Sequence, residues 1–274
     1  MVIMTNAAFD ALDATALGER LLPVARERFL THRAVRISNF AADVSAFIEF
    51  VEHWGRPLRY YAANTIGAHP DHAAIHHVRY EQAAAARGEL HALDGPLSLH
   101  SAQTMRDPRP ACFAMLMIDP GWLDGSPGQN GESIFVEWRA VLVELVLRFG
   151  RDGESMVRTL KSPILFPDGT RRSVLYDLPD AQGCFDHGVR MKYDLVEALR
   201  TGDTSDREAA RALEALHEVA HDEAVVRQIR LGVNELVIID NDRWAHGRRS
   251  VRGERPTTNG RLVNPRELWS VTLA

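Results

Sequence analysis

The sequence predicts an α+β domain: a β-sandwich or jelly roll flanked by helices. Short strand patterns, either alternating or continuously apolar, recur from one end of the chain to the other. Helical patterns instead cluster at the start and in two later insertions, which is the order expected of helices laid against a sheet core. The 274 residues suit one large domain, because such units routinely run to roughly 200–250 residues, and neither an internal repeat nor a linker divides them. We therefore expect a single domain over 1–274 with an N-terminal helical flank.

Each element has its own signal. From Ala14 to Leu30, apolar Leu17, Leu21, Val24, Ala25 and Phe29 recur near helical spacing with charges between them, the pattern of an amphipathic helix. Ala34 to Ser38 alternates and predicts a strand. Asp43 is placed to cap a second helix carrying Phe47, Ile48, Phe50 and Val51, which Gly55 and Pro57 end. Residues 59–95 hold turn chemistry at His69-Pro70-Asp71-His72 and Asp94-Gly95-Pro96 around the alanine-rich run Gln82 to Ala86, and a substrate-covering segment fits there. Adjacent His76 and His77 would point to opposite faces of a strand, so with His72 they read as surface or packing residues.

Leu97 to His100 and Cys112 to Ile118 read as core strands, and Gly121 to Gly131 as a loop rich in Gly, Asp, Ser, Pro and Asn. Ile134 to Phe149 reads as a helix, with Val141, Leu142, Leu145, Val146 and Phe149 as its apolar stripe. Strand-like pieces follow near Ile164 and Val174. Ser205 with Glu208 forms a capping box that opens a helix through Leu213, Leu216 and Val219. Two last strands, Glu235 to Asp240 and Glu267 to Leu273, are separated by a polar, arginine-rich connection.

Composition excludes some functions. The chain is 45% hydrophobic and 25% charged, as an ordinary globular protein is. A net charge of −5 offers no attraction to polynucleotides or anionic membranes. No stretch approaches the ~20 apolar residues needed to cross a bilayer, and the N-terminus lacks the basic and apolar regions of a secretory signal; the expected location is cytoplasmic. The two cysteines, Cys112 and Cys184, show neither metal-ligand spacing nor a disulfide framework, and Cys112 reads as a small core residue.

Chemistry concentrates in two stretches, Pro96 to Gln103 and Ile239 to Arg248. Each is an apolar strand that leads, directly or through a turn, to a histidine: His100 in the first and His246 in the second. Two imidazoles with one carboxylate, leaving coordination positions open, form the facial triad of non-haem iron oxygenases. The carboxylate belongs two residues after the first histidine, and Ala102 stands there.

Further motifs accompany these: Leu99-His100-Ser101-Ala102, Arg109-Pro110 before an apolar strand, Gly131-Glu132-Ser133, Asp240-Asn241 ahead of His246-Gly247-Arg248, and Arg266-Glu267-Leu268. Over roughly residues 50–274 the chain thereby resembles the Fe(II)/2-oxoglutarate-dependent oxygenases of the clavaminate synthase-like group. That group's pattern runs Leu-His-Thr-Glu, Arg-Pro, Gly-Gly-x-Thr, Asp-Asn-x-x-x-x-His-Gly-Arg and a closing Arg-x-Leu. The resemblance implies a double-stranded β-helix, or cupin-like jelly roll, with His100 and His246 as iron ligands. It implies that Ser133 hydrogen-bonds the distal carboxylate of 2-oxoglutarate and that Arg266 pairs with it through its planar fork. Arg261 is the alternative anchor, because the connection after His246 is longer than usual in the group.

Two departures shape the expected activity. With Ala102 in place of the acid, the resemblance implies a freestanding halogenase: chloride or bromide takes the vacated position, and O2 with 2-oxoglutarate drives radical C–H halogenation. A hydroxylase or desaturase with the same cofactors, and a catalytically silent binding protein, are the alternatives that Ala102 also permits. At Ser270, amino-acid-oxidising relatives carry a second Arg. Arg243, Arg248, Arg249, Arg252, Arg255, Arg261 and Arg266 crowd the C-terminal stretch, favouring an anionic small-molecule substrate. Since Arg clusters recognise phosphate, and the superfamily includes halogenases of nucleoside antibiotic pathways, the expectation leans to a nucleoside monophosphate. Arg248 follows His246 by two residues and would share its side on an extended strand, either beside the metal or against halide; a plain surface Arg is the equal alternative. Asn241 and Trp244 are expected near His246, to orient the ligand or line the pocket, with a core position the commoner one for the Trp.

Overall fold

The computed structural model describes residues 6–59, 67–81, 85–88, 93, 95–123, 126–166, 168–179, 185–192, 195–201, 207–251, 255–256, 262–263 and 265–274. Two sheets organise the molecule. Strands β1 (Leu12–Asp13), β2 (Ala34–Ser38), β3 (His76–Arg79), β5 (Cys112–Asp119), β12 (Glu235–Asp240) and β16 (Glu267–Leu273) form a six-stranded sheet in the order β1-β2-β12-β5-β16-β3. Strands β4 (Leu97–His100), β6 (Ser133–Glu137), β11 (Arg227–Ile229) and β13 (Trp244–Arg248) form a four-stranded sheet ordered β11-β6-β13-β4. Three small hairpins pair β7 (Pro163–Leu165) with β8 (Arg171–Ser173), β9 (Leu175–Pro179) with β10 (Phe185–Val189), and β14 (Arg255–Pro256) with β15 (Leu262–Val263). Among these strands only β1 and β2 pair in parallel.

Period-two alternation sends the core strands' side chains to two different layers. On β5, Phe113, Met115 and Met117 face the other sheet, where they pack with Phe135 and Trp244, while Cys112, Ala114 and Leu116 face away. β12 divides in the same way, Val237 and Ile239 inward and Leu236 and Ile238 outward. The outward face is covered by α2 (Leu21–His32), through Ala25 and Phe29, and by α3 (Val44–Val51), through Phe47 and Val51. Fully burying side chains of this size contributes roughly 1.5–3 kcal/mol each. Behind the four-stranded sheet, Ile134 and Val136 pack against α4 (Trp138–Phe149), α5 (Arg151–Lys161), α6 (Leu195–Thr201) and α7 (Arg207–Ala220).

The cap expected at Asp43 is present, and a second, not expected, is made by Asp13. Asp43 accepts the Ala46 amide at the start of α3, and Asp13 accepts those of Thr15 and Ala16 at the start of the short α1 (Ala14–Leu17). The single helix expected over 14–30 is instead two, separated by a 3-10 turn at Gly18–Arg20 where Gly18 has φ +52°, a conformation glycine adopts without steric cost.

Two larger corrections bear on the site. The helix expected from Ile134 begins only at Trp138; Ser133 to Glu137 is β6, because Ile134, Phe135 and Val136 are buried on both faces of a sheet. The arginine-rich connection after β12 contains β13, all five of whose residues are buried. The helix expected after Ser205 is α7, although Ser205 lies outside the described residues, as do Cys184, Asp94 and Gln82 to Ala84. Among the described residues no helix is long and apolar enough to cross a membrane.

Candidate active site between the two sheets

One cavity of about 450 Å³ opens between the sheets at the end where β4 and β13 pair. Alternation on β13 turns His246 and Arg248 toward it, and antiparallel register sets His246 opposite His100 on β4 and Arg248 opposite Ser133 on β6. The two imidazole rings lie 4.4 Å apart, and Phe113 from the larger sheet stacks on His246 at 4.2 Å with the planes 17° apart. Residues 146 apart in sequence thus become cross-strand neighbours (positions 100 and 246).

The protonation of both rings follows from their surroundings. His100 Nδ1 lies 2.9 Å from the Ser98 carbonyl. A carbonyl only accepts, so Nδ1 carries the proton and the ring's lone pair is on Nε2. Nδ1 of His246 is buried with no hydrogen-bond partner. Burial holds the pKa of His100 below the usual histidine range, and burial together with the neighbouring His100 takes that of His246 well below it. Two neutral imidazoles at this separation, one with an unsatisfied buried nitrogen, fit a divalent metal. Among the described residues no carboxylate lines the cavity, and no three His, Cys, Asp or Glu side chains are grouped to hold a metal.

Ala102 lines the cavity two residues beyond His100. Its backbone is clamped on both sides by the Asn241 amide: Oδ1 accepts the Ala102 N–H at 2.7 Å, and Nδ2 donates to the Ala102 carbonyl at 3.0 Å and the Pro110 carbonyl at 3.1 Å. Ser101, also at the cavity, donates its hydroxyl to the Val189 carbonyl and its amide to the Met191 carbonyl, each at 2.9 Å. The turn holding Asn241 is itself tied down. Asp240 accepts the Arg243 side chain at 2.8 Å, while Asp242 accepts Arg109 at 3.0 Å and the Tyr176 hydroxyl at 2.7 Å. Burial raises the pKa of Asp242 against the opposing pull of Arg109.

Beyond the histidines the cavity is basic. Arg248, which the sequence left between a site role and the surface, is buried; it donates to the carbonyls of Leu93 (2.6 Å) and Gly95 (2.8 Å), just ahead of β4. Arg266 is buried at the wall of the cavity that Ser133 also lines, and burial, with Arg248 and Arg230 as like charges, pulls its pKa down to about 9. Gly131, at φ +65°, gives it room: a Cβ there would sit 3.0 Å from Arg266 Cδ and Nε. Lys192 adds a further cation at the cavity. A buried guanidinium surrounded by positive charge is stabilised by an anion brought to it.

The arginine crowd does not form one binding face. Arg243 pairs with Asp186 (2.7 Å) and Asp240, and Arg249 with Glu223, because both side chains meet acids brought in from other elements. Of the members whose side chains are described, only Arg248 and Arg266 reach the cavity; Arg252 and Arg261 lie outside the described residues, and Arg255 is described only by its place in β14. Trp244 is core, its indole N–H donated to the His32 carbonyl at 3.1 Å. The alternation expected of His76 and His77 does occur: His76 lines the cavity, and His77 Nε2 meets Glu267 at 2.6 Å on the other face. Lys192 and Thr272 are cavity residues that sequence reasoning did not name, while His76, read there as a surface or packing residue, is placed in the cavity by the alternation itself.

Comparison with known proteins places the fold. The family model of the taurine catabolism dioxygenases TauD and TfdA matches residues 145–264, a segment that contains His246 and Arg248 but not His100, Ala102, Ser133 or Arg266. A search of curated protein sequences returns no match. Among solved structures, asparagine oxygenase in complex with Fe(II), 3-hydroxyasparagine and succinate is 18% identical, with a TM-score of 0.62 over 93% of this chain and 79% of that one. OrfP, a non-haem iron oxygenase in complex with Fe and α-ketoglutaric acid, is 15% identical, with a TM-score of 0.63 over 95% and 81%. PvcB from Pseudomonas aeruginosa is 16% identical, with a TM-score of 0.59 over 94% and 81%. The chain shares its fold with these three proteins.

Proposed function

We propose that this chain is an Fe(II)/2-oxoglutarate-dependent enzyme that functionalises a C–H bond of a small anionic molecule, with His100 and His246 as the iron ligands. Its two facing sheets are read as the double-stranded β-helix of that superfamily. Iron with O2 and 2-oxoglutarate supplies the oxidant that removes a substrate hydrogen, with succinate and carbon dioxide as co-products. The chain's own groups orient these reactants. The Ser98 carbonyl sets the His100 tautomer, Phe113 covers one face of His246, and Arg266 with Ser133 receives the distal carboxylate of 2-oxoglutarate.

Halogenation is the reading that the site favours, and one observation carries it. The position two residues after His100 holds a methyl group on a clamped backbone, and no carboxylate among the described cavity residues replaces it. Chloride or bromide would take the position that the methyl group leaves open, and the cations lining the cavity would favour its retention. Hydroxylation is the second reading, supported by solved neighbours whose bound products are hydroxylated asparagine and arginine. The cations at the cavity support an anionic substrate. The engagement of Arg243 and Arg249 elsewhere weakens the argument for phosphate in particular, so a nucleoside monophosphate is one member of the panel to be tested, beside carboxylates.

The test is anaerobic titration of Fe(II) and 2-oxoglutarate with and without chloride, followed by aerobic turnover of a panel of nucleotides, amino acids and other carboxylates. Chloride should shift the absorption of the Fe(II)–2-oxoglutarate complex, and the product should gain chlorine, or bromine in bromide. Hydroxylated product alone at saturating chloride would transfer the assignment to the second reading.

A further inference from the structure

The strand that carries His100 ends at that residue, so position 102 lies beyond the reach of the sheet ladder. It sits in a loop running to β5, where packing against the core between the sheets and bonds from other elements set its place. The bonds come from Asn241, 139 positions away, whose side chain is 1% exposed and makes all three of its contacts with backbone groups of this loop, two at Ala102 and one at Pro110. The Asn241 amide N–H also donates to the Ala111 carbonyl at 2.8 Å, at the loop's far end. The chemistry of the partners fixes the side-chain amide orientation, since Ala102 N–H can only donate and the two carbonyls can only accept.

Asn241 also lies in the turn joining β12 to β13, five residues ahead of His246. One side chain therefore links the strand that delivers the second histidine to the residue beside the vacated coordination position. We infer that Asn241 is a positioning residue that holds residue 102 in register with His100 and His246, so that the third coordination position is preformed although no ligand side chain occupies it. This inference rests on the two-histidine iron reading above and adds to it a residue that sets where the third ligand stands.

A carboxylate placed at a preformed position should bind metal at once; at a position free to move it should gain little, because ordering the loop costs what the new bond supplies. The experiment measures Fe(II) affinity anaerobically on the full chain, with and without Ala102→Asp, in three backgrounds: native, Asn241→Ala and Asn241→Asp. The Asp variant is isosteric and retains an acceptor for the Ala102 amide, but it cannot donate to the Ala102 and Pro110 carbonyls, and it covers the case in which the Ala variant fails to fold. In the native background Ala102→Asp should tighten Fe(II) by about tenfold or more, as expected for an added interaction with a charged group. In either Asn241 background the gain should shrink below about twofold, a coupling that a purely structural asparagine would not show. An equal gain in all backgrounds, or no gain in the native one, overturns the inference. The iron reading fails separately, if Fe(II) affinity survives His100→Ala or His246→Ala.

Discussion

The two histidines of the site are held by different means. His246 is on β13, which is bonded to β6 on one side and β4 on the other, with Ala245 packed into the helical layer behind it. His100 ends β4, the outer strand of that sheet. There the Leu99 amide, which no further strand receives, donates to Nε2 of His221 on α7's C-terminal side at 3.4 Å, while His221 Nδ1 donates to the His217 carbonyl at 2.8 Å. The Ser101 and Ala102 amides are received by Met191 and Asn241. A central strand inherits its position from the sheet, whereas an edge strand depends on individual bonds from elsewhere. Position 102 thus falls on the side of the site that is set by individual bonds.

The strongest way to break this comparison is to remove the histidines themselves. His100→Ala or His246→Ala should eliminate Fe(II) binding and with it the visible band of the Fe(II)–2-oxoglutarate complex, a loss exceeding the 10–100-fold typical of altering only a ligand's supporting contacts. A variant that keeps both the band and turnover would refute the ligand assignment. Next in size, Arg266→Ala removes a charge-assisted contact of roughly 1.5–3 kcal/mol, so 2-oxoglutarate should bind about tenfold or more weakly. Unchanged affinity in a binding titration would move the role to Arg261.

Smaller effects sharpen the contrast between edge and centre. His221→Leu should leave β13 protected while speeding amide exchange at Leu99 roughly fivefold, consistent with losing one hydrogen bond of about 1 kcal/mol. His221→Gln, whose amide oxygen can accept in place of Nε2, should restore slow exchange. Uniform exchange in all three proteins would mean that the edge needs no such support.

The gentlest probe is pH. His69, His100, His221 and His246 all have pKa values lowered mainly by burial. The unfolded chain therefore binds more protons than the folded one below the ordinary histidine value of about 6.5, and stability is lost as pH falls through that region. Melting temperatures of the metal-free protein should be level from pH 7 to 8 and decline toward pH 5; a level profile throughout would contradict these shifts.

Local pattern made much of this legible. Ala34 to Ser38, Glu235 to Asp240 and Glu267 to Leu273 have the same bounds in the sequence reading and in the sheet, because strand periodicity and apolar runs are properties of adjacent residues. The absence of an acid at 102 could likewise be read without a structure. The β6 strand could not, since Ile134 to Val136 runs directly into the helical stripe of α4 and a short apolar run fits either element. Nor could β13, where a histidine and an arginine face a cavity that exists only once the second sheet is in place. Arg243, Arg248, Arg249 and Arg266 look alike in sequence; tertiary contacts alone sent two to acids and two to the cavity. The clamp on Ala102 spans 139 residues, and no local pattern encodes an amide whose partners are backbone groups, which every residue possesses.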